Sequence, residues 1–191
     1  MPTPHPLSPP SPWVERFAPL VRAGGPVLDL ACGGGRHLRL FHRLGHPVVG
    51  LDCDLGGVAD LEGTAGITLI QGDLERSDLE TADSAGRLGP LPADARFAGI
   101  VVTNYLHRPL FPALLAALEP GGVLIYETFA DGNARFGRPS SPDFLLRRGE
   151  LLEAVRGVLQ VVAFEQGEVS APKPAVVQRI CAVAGDDPLP L

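Results

Sequence analysis

The stretch Val27 to Gly35, VLDLACGGG, joins an apolar run to three consecutive glycines, and a carboxylate, Asp52, closes the next apolar run at Val48 to Leu51. An apolar run ending in glycines reads as a buried strand whose carboxyl end turns so tightly that backbone amides, not side chains, face a ligand. A carboxylate at the end of the neighbouring strand can accept hydrogen bonds from both hydroxyls of a ribose. The chemistry on offer is recognition of a nucleoside cofactor by backbone and one acid. Arg36 to Leu44 places Leu38, Phe41 and Leu44 at helical spacing and stops at Gly45, so the unit that positions these groups is strand, glycine loop, helix, strand.

Two cofactor classes use such a unit, and glycine spacing separates them. A dinucleotide loop needs a third glycine three residues after the second, where helix and strand pack closely and amides reach a pyrophosphate. Counted from Gly35, that position is Leu38. A loop for S-adenosylmethionine (SAM) has no pyrophosphate to cradle, and glycines at 33 and 35 suffice for backbone to approach the methionine part. The spacing favours SAM, with S-adenosylhomocysteine (SAH) as product.

VLDLACGGGRH, VVGLDCD, IQGD and LEPGGVLIYETF stand in the order of the successive motifs of the class I SAM-dependent methyltransferases. The chain resembles in particular the small bacterial members akin to tellurite-resistance methyltransferases, over about Trp13 to Ala184. The family's first loop glycine is Ala31 here, a small residue that still fits. The resemblance implies that Asp73 accepts from the adenine amine and that Leu74 touches the ring; an ordinary strand-end turn is the alternative for Asp73. It also implies that Asp29 steadies the loop and the cofactor's amino group. The expected cofactor set is Asp29, Ala31, Cys32, Gly33, Gly35, Asp52, Cys53, Asp73, Leu74 and Asn104.

With 191 residues, 45% apolar and 20% charged, the chain has the length and composition of one globular domain. The opening MPTPHPLSPPS reads as a disordered Pro-rich tail over residues 1–11, ahead of a methyltransferase domain over 12–191. A formal charge of −6 disfavours non-specific nucleic-acid binding, which is driven by Lys and Arg displacing counterions. Cys32, Cys53 and Cys181 show no CxxC spacing and read as reduced thiols in a cytoplasm; no metal is expected. No apolar run approaches the ~20 residues that span a bilayer, and no export signal opens the chain.

Ser11 and Pro12 suit the start of a helix to about Val21 with Trp13, Phe17, Leu20 and Val21 on one face, shortened by Pro19. In the family this segment often lies over the cofactor, so Trp13 and Phe17 either form a lid or pack on the sheet. Gly56 to Glu62 is a short weak helix, Ile67 to Gln71 a third strand, Phe97 to Thr103 a fourth. Arg76 to Arg96 shows no apolar period and reads as a loop or a degenerate helix. Leu110 to Leu118 is a helix turned by Pro120, Gly121 and Gly122 into a fifth strand, Val123 to Phe129. Gly149 to Arg156 is a last helix, and Val158 to Val169 with Ala175 to Ala184 forms a hairpin. The expected fold is a single-domain α/β architecture, a doubly wound and mostly parallel seven-stranded sheet with an antiparallel C-terminal hairpin. That hairpin ends the methyltransferase sheet and is absent from dinucleotide folds.

Acceptor chemistry is expected beyond the ends of strands four and five. His107 is the candidate general base, or else it buttresses the following helix. Tyr105 lines the acceptor pocket or packs. Asn104 and Tyr105 stand where amino-group methyltransferases carry Asn-Pro-Pro-aromatic, and both prolines are missing, which weakens a DNA-base or glutamine acceptor. Arg108, Glu127 and Arg138 are substrate-binding candidates; Arg135, Arg138, Arg147 and Arg148 could bind an oxyanion or form a solvated loop. These readings converge on methyl transfer to a small molecule. The rivals are a SAM-binding regulatory protein without turnover and a nicotinamide-dependent oxidoreductase.

Overall fold

The computed structural model describes residues 8–75 and 88–185. Seven strands form one sheet in the order β3-β2-β1-β4-β5-β7-β6. They are β1 (Val27–Leu30), β2 (Val48–Asp52), β3 (Ile67–Gln71), β4 (Phe97–Thr103), β5 (Leu118–Phe129), β6 (Leu159–Val169) and β7 (Ala175–Ala184). The first five pair in parallel, whereas β7 runs antiparallel to both β5 and β6. The hairpin and the mixed sheet agree with the pattern expected from sequence. The chain winds outward from β1 to β3 and then returns to β4, so strand order reverses between β1 and β4. In open parallel sheets, ligands bind at such a reversal.

Both faces of the sheet are covered. Leu28, Leu30, Ile100, Val102, Leu124 and Tyr126 point into one core with Leu114 and Leu151. The alternate residues Val27, Val101, Val123 and Ile125 enter the other, with Trp13, Phe17, Leu38 and Phe41. Alternation along a strand sends neighbours to opposite faces, and helices on each side bury both sets. Every residue of β4 is therefore buried.

Helix α1 (Pro12–Phe17) is capped by the Ser11 hydroxyl, which accepts from the Trp13 amide at 3.2 Å. Pro19 shortens it as expected, and the chain tightens into a 3-10 turn at Ala18–Leu20. The tighter turn swings Leu20 off the buried face, so it is 45% exposed and does not join Trp13, Phe17 and Val21. Trp13 packs on the sheet and its indole donates to the Ile180 carbonyl at 3.3 Å.

Two boundaries differ from the expected ones. β5 begins at Leu118, because Pro120 to Gly122 kink an extended run instead of ending it; pairing with β4 jumps from Phe97–Leu118 to Gly99–Val123. A side chain at Gly122 would stand 2.9 Å from the Phe97 carbonyl, so only glycine lets the strands meet there. Residues 8–11, expected in the tail, lie against the fold and Ser11 is buried. Residues 1–7 and 76–87, the rest of the tail and most of the expected loop, lie outside the described residues.

Candidate active site

The carboxyl ends of β1 to β4 open onto a cleft of about 1440 Å³. Leu30 pairs with Leu51 on one side and Val102 on the other, so Ala31, Asp52 and Thr103 are the next residues at three adjacent strand ends. With strands ~4.8 Å apart, Asp52 and Thr103 flank the loop at roughly 10 Å from each other. Asp52 pairs with Gln71, which places Gly72 and Asp73 one strand further out.

The loop itself is backbone. Gly33 and Gly35 take positive φ of 50° and 71°, and a side chain at Gly33 would meet nothing within 4 Å. Glycine there leaves the peptide open to the cleft, which fits a ligand approached by amides. A side chain at Gly57 would stand 2.9 Å from the Gly33 carbonyl, so the 3-10 segment Gly56–Leu61 packs directly on the loop. Ala31 at φ 56° and Asn104 at φ 57° are the two non-glycine residues with positive φ among those described. Both line the cleft. Left-handed backbone costs ~1 kcal/mol or more at such residues and collects at functional sites.

Helix α2 (Arg36–Arg43) has glycine at its N-cap and no side-chain cap of its own. Asp29 supplies one from the strand below: its Oδ2 accepts from the Leu38 amide at 2.9 Å. Asp29 is 1% exposed, and burial pushes its carboxyl up to about 7, partly offset by that amide and by Arg36. It steadies the loop from beneath and does not line the cleft. Leu38, at the place of a third dinucleotide glycine, packs against Gly50 of β2, where a side chain would overlap its Cδ1 at 2.3 Å. Close helix–strand approach is thus obtained from the strand side.

Asp52 holds the loop's other flank. Its Oδ2 accepts from the Gly33 amide at 2.8 Å and its Oδ1 from the Asp54 amide at 3.0 Å. Each carboxylate oxygen keeps a second lone pair for a ligand. Asp73 closes a turn on the Glu75 amide at 2.9 Å, while Leu74 beside it is buried. The Cys32 thiol is buried and pushed up to about 12, first by burial and then by Asp29; the exposed Cys53 thiol is raised by Asp52 beside it. Both are protonated at neutral pH.

The structure brings Ala31, Cys32, Gly33, Asp52, Cys53, Asp73, Leu74, Asn104 and Tyr105 into one wall. Gly35 turns inward, where Val58 would meet any side chain at 2.6 Å. Tyr105 is half-buried; burial, and then the nearby Glu75 carboxylate, raise its hydroxyl well above the usual phenol range. That hydroxyl has no partner of good hydrogen-bond geometry among the described residues, so Glu75 acts on it through charge more than through a formed bond.

Four expected residues stand elsewhere. His107 is half-buried outside the described cleft wall, and its backbone carbonyl accepts from the Leu110 amide at the start of the next turn. Arg138 is exposed on the loop after β5. Glu127 is occupied by the Ser11 hydroxyl at 2.9 Å and by Arg179 at 3.2 Å. Arg108 is bound to Glu150 at 2.6 and 3.0 Å and to the Asp143 and Leu145 carbonyls. Burial pushes Glu150 up, but hydrogen bonds from Arg108 and from the Arg147 backbone and side chain outweigh it and hold the carboxyl at about 2. The stability this contributes is complete above the unfolded value near 4.5 and is lost as pH falls toward 2. Glu150→Gln is expected to cost about 2 kcal/mol at pH 7, lowering Tm by ~4–8 °C, with the deficit shrinking below pH 4. A pH-independent deficit in thermal melts would discount the charge.

Sequence reasoning passed over Arg36, Arg39, Thr103, Ser8 and Glu75, which line the cleft, and His37 behind it. The His37 Nε2 accepts from the Ser11 amide at 3.0 Å, which leaves the ring proton on Nδ1 facing the Thr103 hydroxyl at 3.4 Å. Burial, then Arg36, hold this imidazole down at about 3, so it is neutral and ties the segment before α1 to the end of β4. Among the described residues no group of three or more His, Cys, Asp or Glu could hold a metal ion. No described helix is long and apolar enough to cross a membrane.

Comparison with known proteins agrees with this geometry. Residues 8–157 match the model of a methyltransferase domain family. No curated protein matches the chain. The structure of TehB from Haemophilus influenzae superposes with TM-score 0.66 at 18% identity over 90% of this chain, which spans 61% of that one. A glycopeptide N-methyltransferase, MtfA, complexed with SAH, gives TM-score 0.57 at 22% identity, covering 90% of this chain and 88% of that one. The [4+2]-cyclase SpnF gives 0.65 at 16%, covering 92% and 79%. At such identities the likeness is one of fold. With the family match over residues 8–157, the chain belongs to the methyltransferase domain family, the SAM-dependent class whose successive motifs it carries.

Proposed function

We propose that this protein transfers the sulfonium methyl of SAM to a small-molecule acceptor. The observation that carries the reading is the row of strand ends along the cleft. Asp73, Asp52, the open peptide at Gly33, and Thr103 with Asn104 follow one another from β3 to β4. A carboxylate pair at one end and bare backbone in the middle suit a nucleoside joined to an amino acid, and the strained Ala31 and Asn104 mark the place of chemistry. The cleft exceeds the ~300–1,000 Å³ common for one small ligand, which leaves room for an acceptor beside the cofactor.

SAM supplies an activated methyl whose positive charge fades as the new bond forms. The chain's own task is to align and to exclude water, an orientation effect worth up to ~7–11 kcal/mol. Asp52 and the loop amides fix one partner; Asn104 and Tyr105 stand where the other would approach. Tyr105 stays neutral at physiological pH and can donate, accept or pack, but does not act as a phenolate base. No imidazole lines the cleft among the described residues; the carboxylates of Asp73 and Glu75 near Tyr105 are the groups there that could take a proton, and a thiolate, a neutral amine or an oxyanion would ask least of them. The three free cysteines suit a reducing cytoplasm.

Two measurements test the reading. SAH at 100 times its Kd should stabilise the fold by about 2.7 kcal/mol, raising Tm by ~5–11 °C, with no comparable shift from NADH. Screening thiols, amines, carboxylates, phenols and metalloid oxyanions with labelled SAM should then reveal turnover. Binding without any turnover would favour the regulatory reading, and no shift with SAH would end both.

A further inference from the structure

Between Ala130 and Leu146 the chain leaves the sheet and returns to the same point. Those two residues pair as a parallel bridge, and the Asp131 amide donates to the Leu146 carbonyl at 2.9 Å. A loop closed at its base in this way is compact when its own side chains brace it. Asn133, 2% exposed, does so: its Nδ2 donates to the Pro139 carbonyl at 3.0 Å and its Oδ1 accepts from the Val176 amide of β7 at 3.0 Å. Arg108 holds the returning limb through the Asp143 and Leu145 carbonyls, each at 2.8 Å. Two polar side chains are thus committed to the shape of one surface loop.

That braced loop displays large apolar groups. Phe136 and Phe144 are 40% and 49% exposed, whereas the chain's other phenylalanines are buried or half-buried. Beside them, residues 131–149 carry four arginines against two aspartates, in a chain of formal charge −6. Arg135 pairs with Glu168 and lies over the Phe136 ring at 4.9 Å, and Arg147 pairs with Glu150 at 3.3 Å. Arg138 and Arg148 keep exposed guanidiniums with no partner among the described residues. Aromatic rings and arginines are the side chains that concentrate binding energy at protein interfaces. Small ligands are instead enclosed by concave walls, and this loop lines neither the cleft nor the small cavity at Phe97.

We propose that this loop, with Arg148 at its foot, docks an acidic segment of a partner protein that also carries apolar side chains. Charge complementarity selects the occupant: carboxylates answer Arg138 and Arg148, and apolar groups cover Phe136 and Phe144. A second copy of this chain fits less well. Two loops facing each other across a two-fold axis would oppose like charges, and a loop set against the acidic remainder of another copy would build an open chain of molecules. Nucleic acid also fits less well, because two unpaired guanidiniums release few counterions. The surface is separate from the cofactor cleft, so this docking stands or falls apart from the SAM reading.

Fluorescence anisotropy with a labelled peptide of Glu, Phe and Gly tests the surface, with the same peptide carrying Lys for Glu, or Gly for Phe, as controls. The unaltered protein should bind the acidic aromatic peptide at least about tenfold more tightly than either control at physiological salt. Replacing both free arginines, Arg138→Gln with Arg148→Gln, should weaken that binding about tenfold or more and flatten its salt dependence. Phe144→Ser should weaken it to a similar degree with the salt dependence kept. These side chains are exposed, so melting temperatures should stay within about 4 °C and show that a loss is local. No binding by the unaltered protein, equal binding of the Lys peptide, or variants that bind as before overturns the proposal. A single-stranded oligouridine bound more tightly than the peptide assigns the loop to nucleic acid, and a dimer in sedimentation that the variants abolish assigns it to a second copy; either result overturns it as well.

Discussion

Replacing Asp52 with alanine is expected to weaken SAH binding by at least about 100-fold. Two charge-assisted hydrogen bonds to the ribose, each worth ~1.5–3 kcal/mol, disappear together, and 1.4 kcal/mol is a factor of ten. The same change removes the acceptor of the Gly33 amide, so the loop loses the contact that holds its peptide toward the cleft. Global stability should move little, because Asp52 is only half-buried and the freed amides of Gly33 and Asp54 lie at the surface, where water satisfies them. Calorimetry with SAH and thermal melts without it separate the two effects. A Kd within threefold of the original would take Asp52 out of nucleoside recognition.

Asp29→Asn should act in the opposite way, on stability and not on binding. The folded state holds this carboxyl at about 7 against an ordinary 3.8, so it favours the protonated form. Between those values the folded chain binds more protons than the unfolded one. Stability from this group is therefore present at acid pH and lost as pH rises from about 4 to 7. Ionising it in place costs on the order of 4 kcal/mol. Asparagine keeps an oxygen for the Leu38 amide and removes that cost, while its buried N–H groups take back ~1–3 kcal/mol. The expected result is a variant ~1–3 kcal/mol more stable at pH 8, no better at pH 4, with SAH affinity within a few-fold. Denaturant melts across that range would show it as a flattened pH dependence. An unaltered slope would mean that Asp29 is ionised in the native state throughout.

Together these two acids show how one loop divides its tasks. Asp29 caps α2 from inside the sheet, and Asp52 holds the exposed flank, so the glycines between them are fixed without a side chain of their own. Such preorganisation spares a ligand the cost of ordering the loop when it binds.

Much of this was legible along the chain. The strand, glycine loop and helix at Val27 to Arg43, the carboxylates after β2 and β3 and the terminal hairpin all follow from local signals: period-two and helical apolar spacing, glycine where φ turns positive, proline near helix starts. Asp52 and Asp73 reach the cleft because parallel strands in this winding bring their carboxyl ends to one edge. Pro120 to Gly122 read as a turn in sequence, yet the same residues serve a bent strand when a neighbour's carbonyl would stand 2.9 Å from a side chain at Gly122.

Only the tertiary structure decided which charges remain available. Arg108 and Glu127 look like substrate ligands in sequence, yet each is occupied by a partner 42 and 116 residues away, Glu150 and Ser11. Arg36 and His37 look like an ordinary helix start, yet one lines the cleft and the other joins residue 11 to residue 103. Spacing along a chain reports which face of an element a residue occupies. Whether a charge on that face is neutralised depends on side chains that folding brings from elsewhere, and no local pattern encodes those.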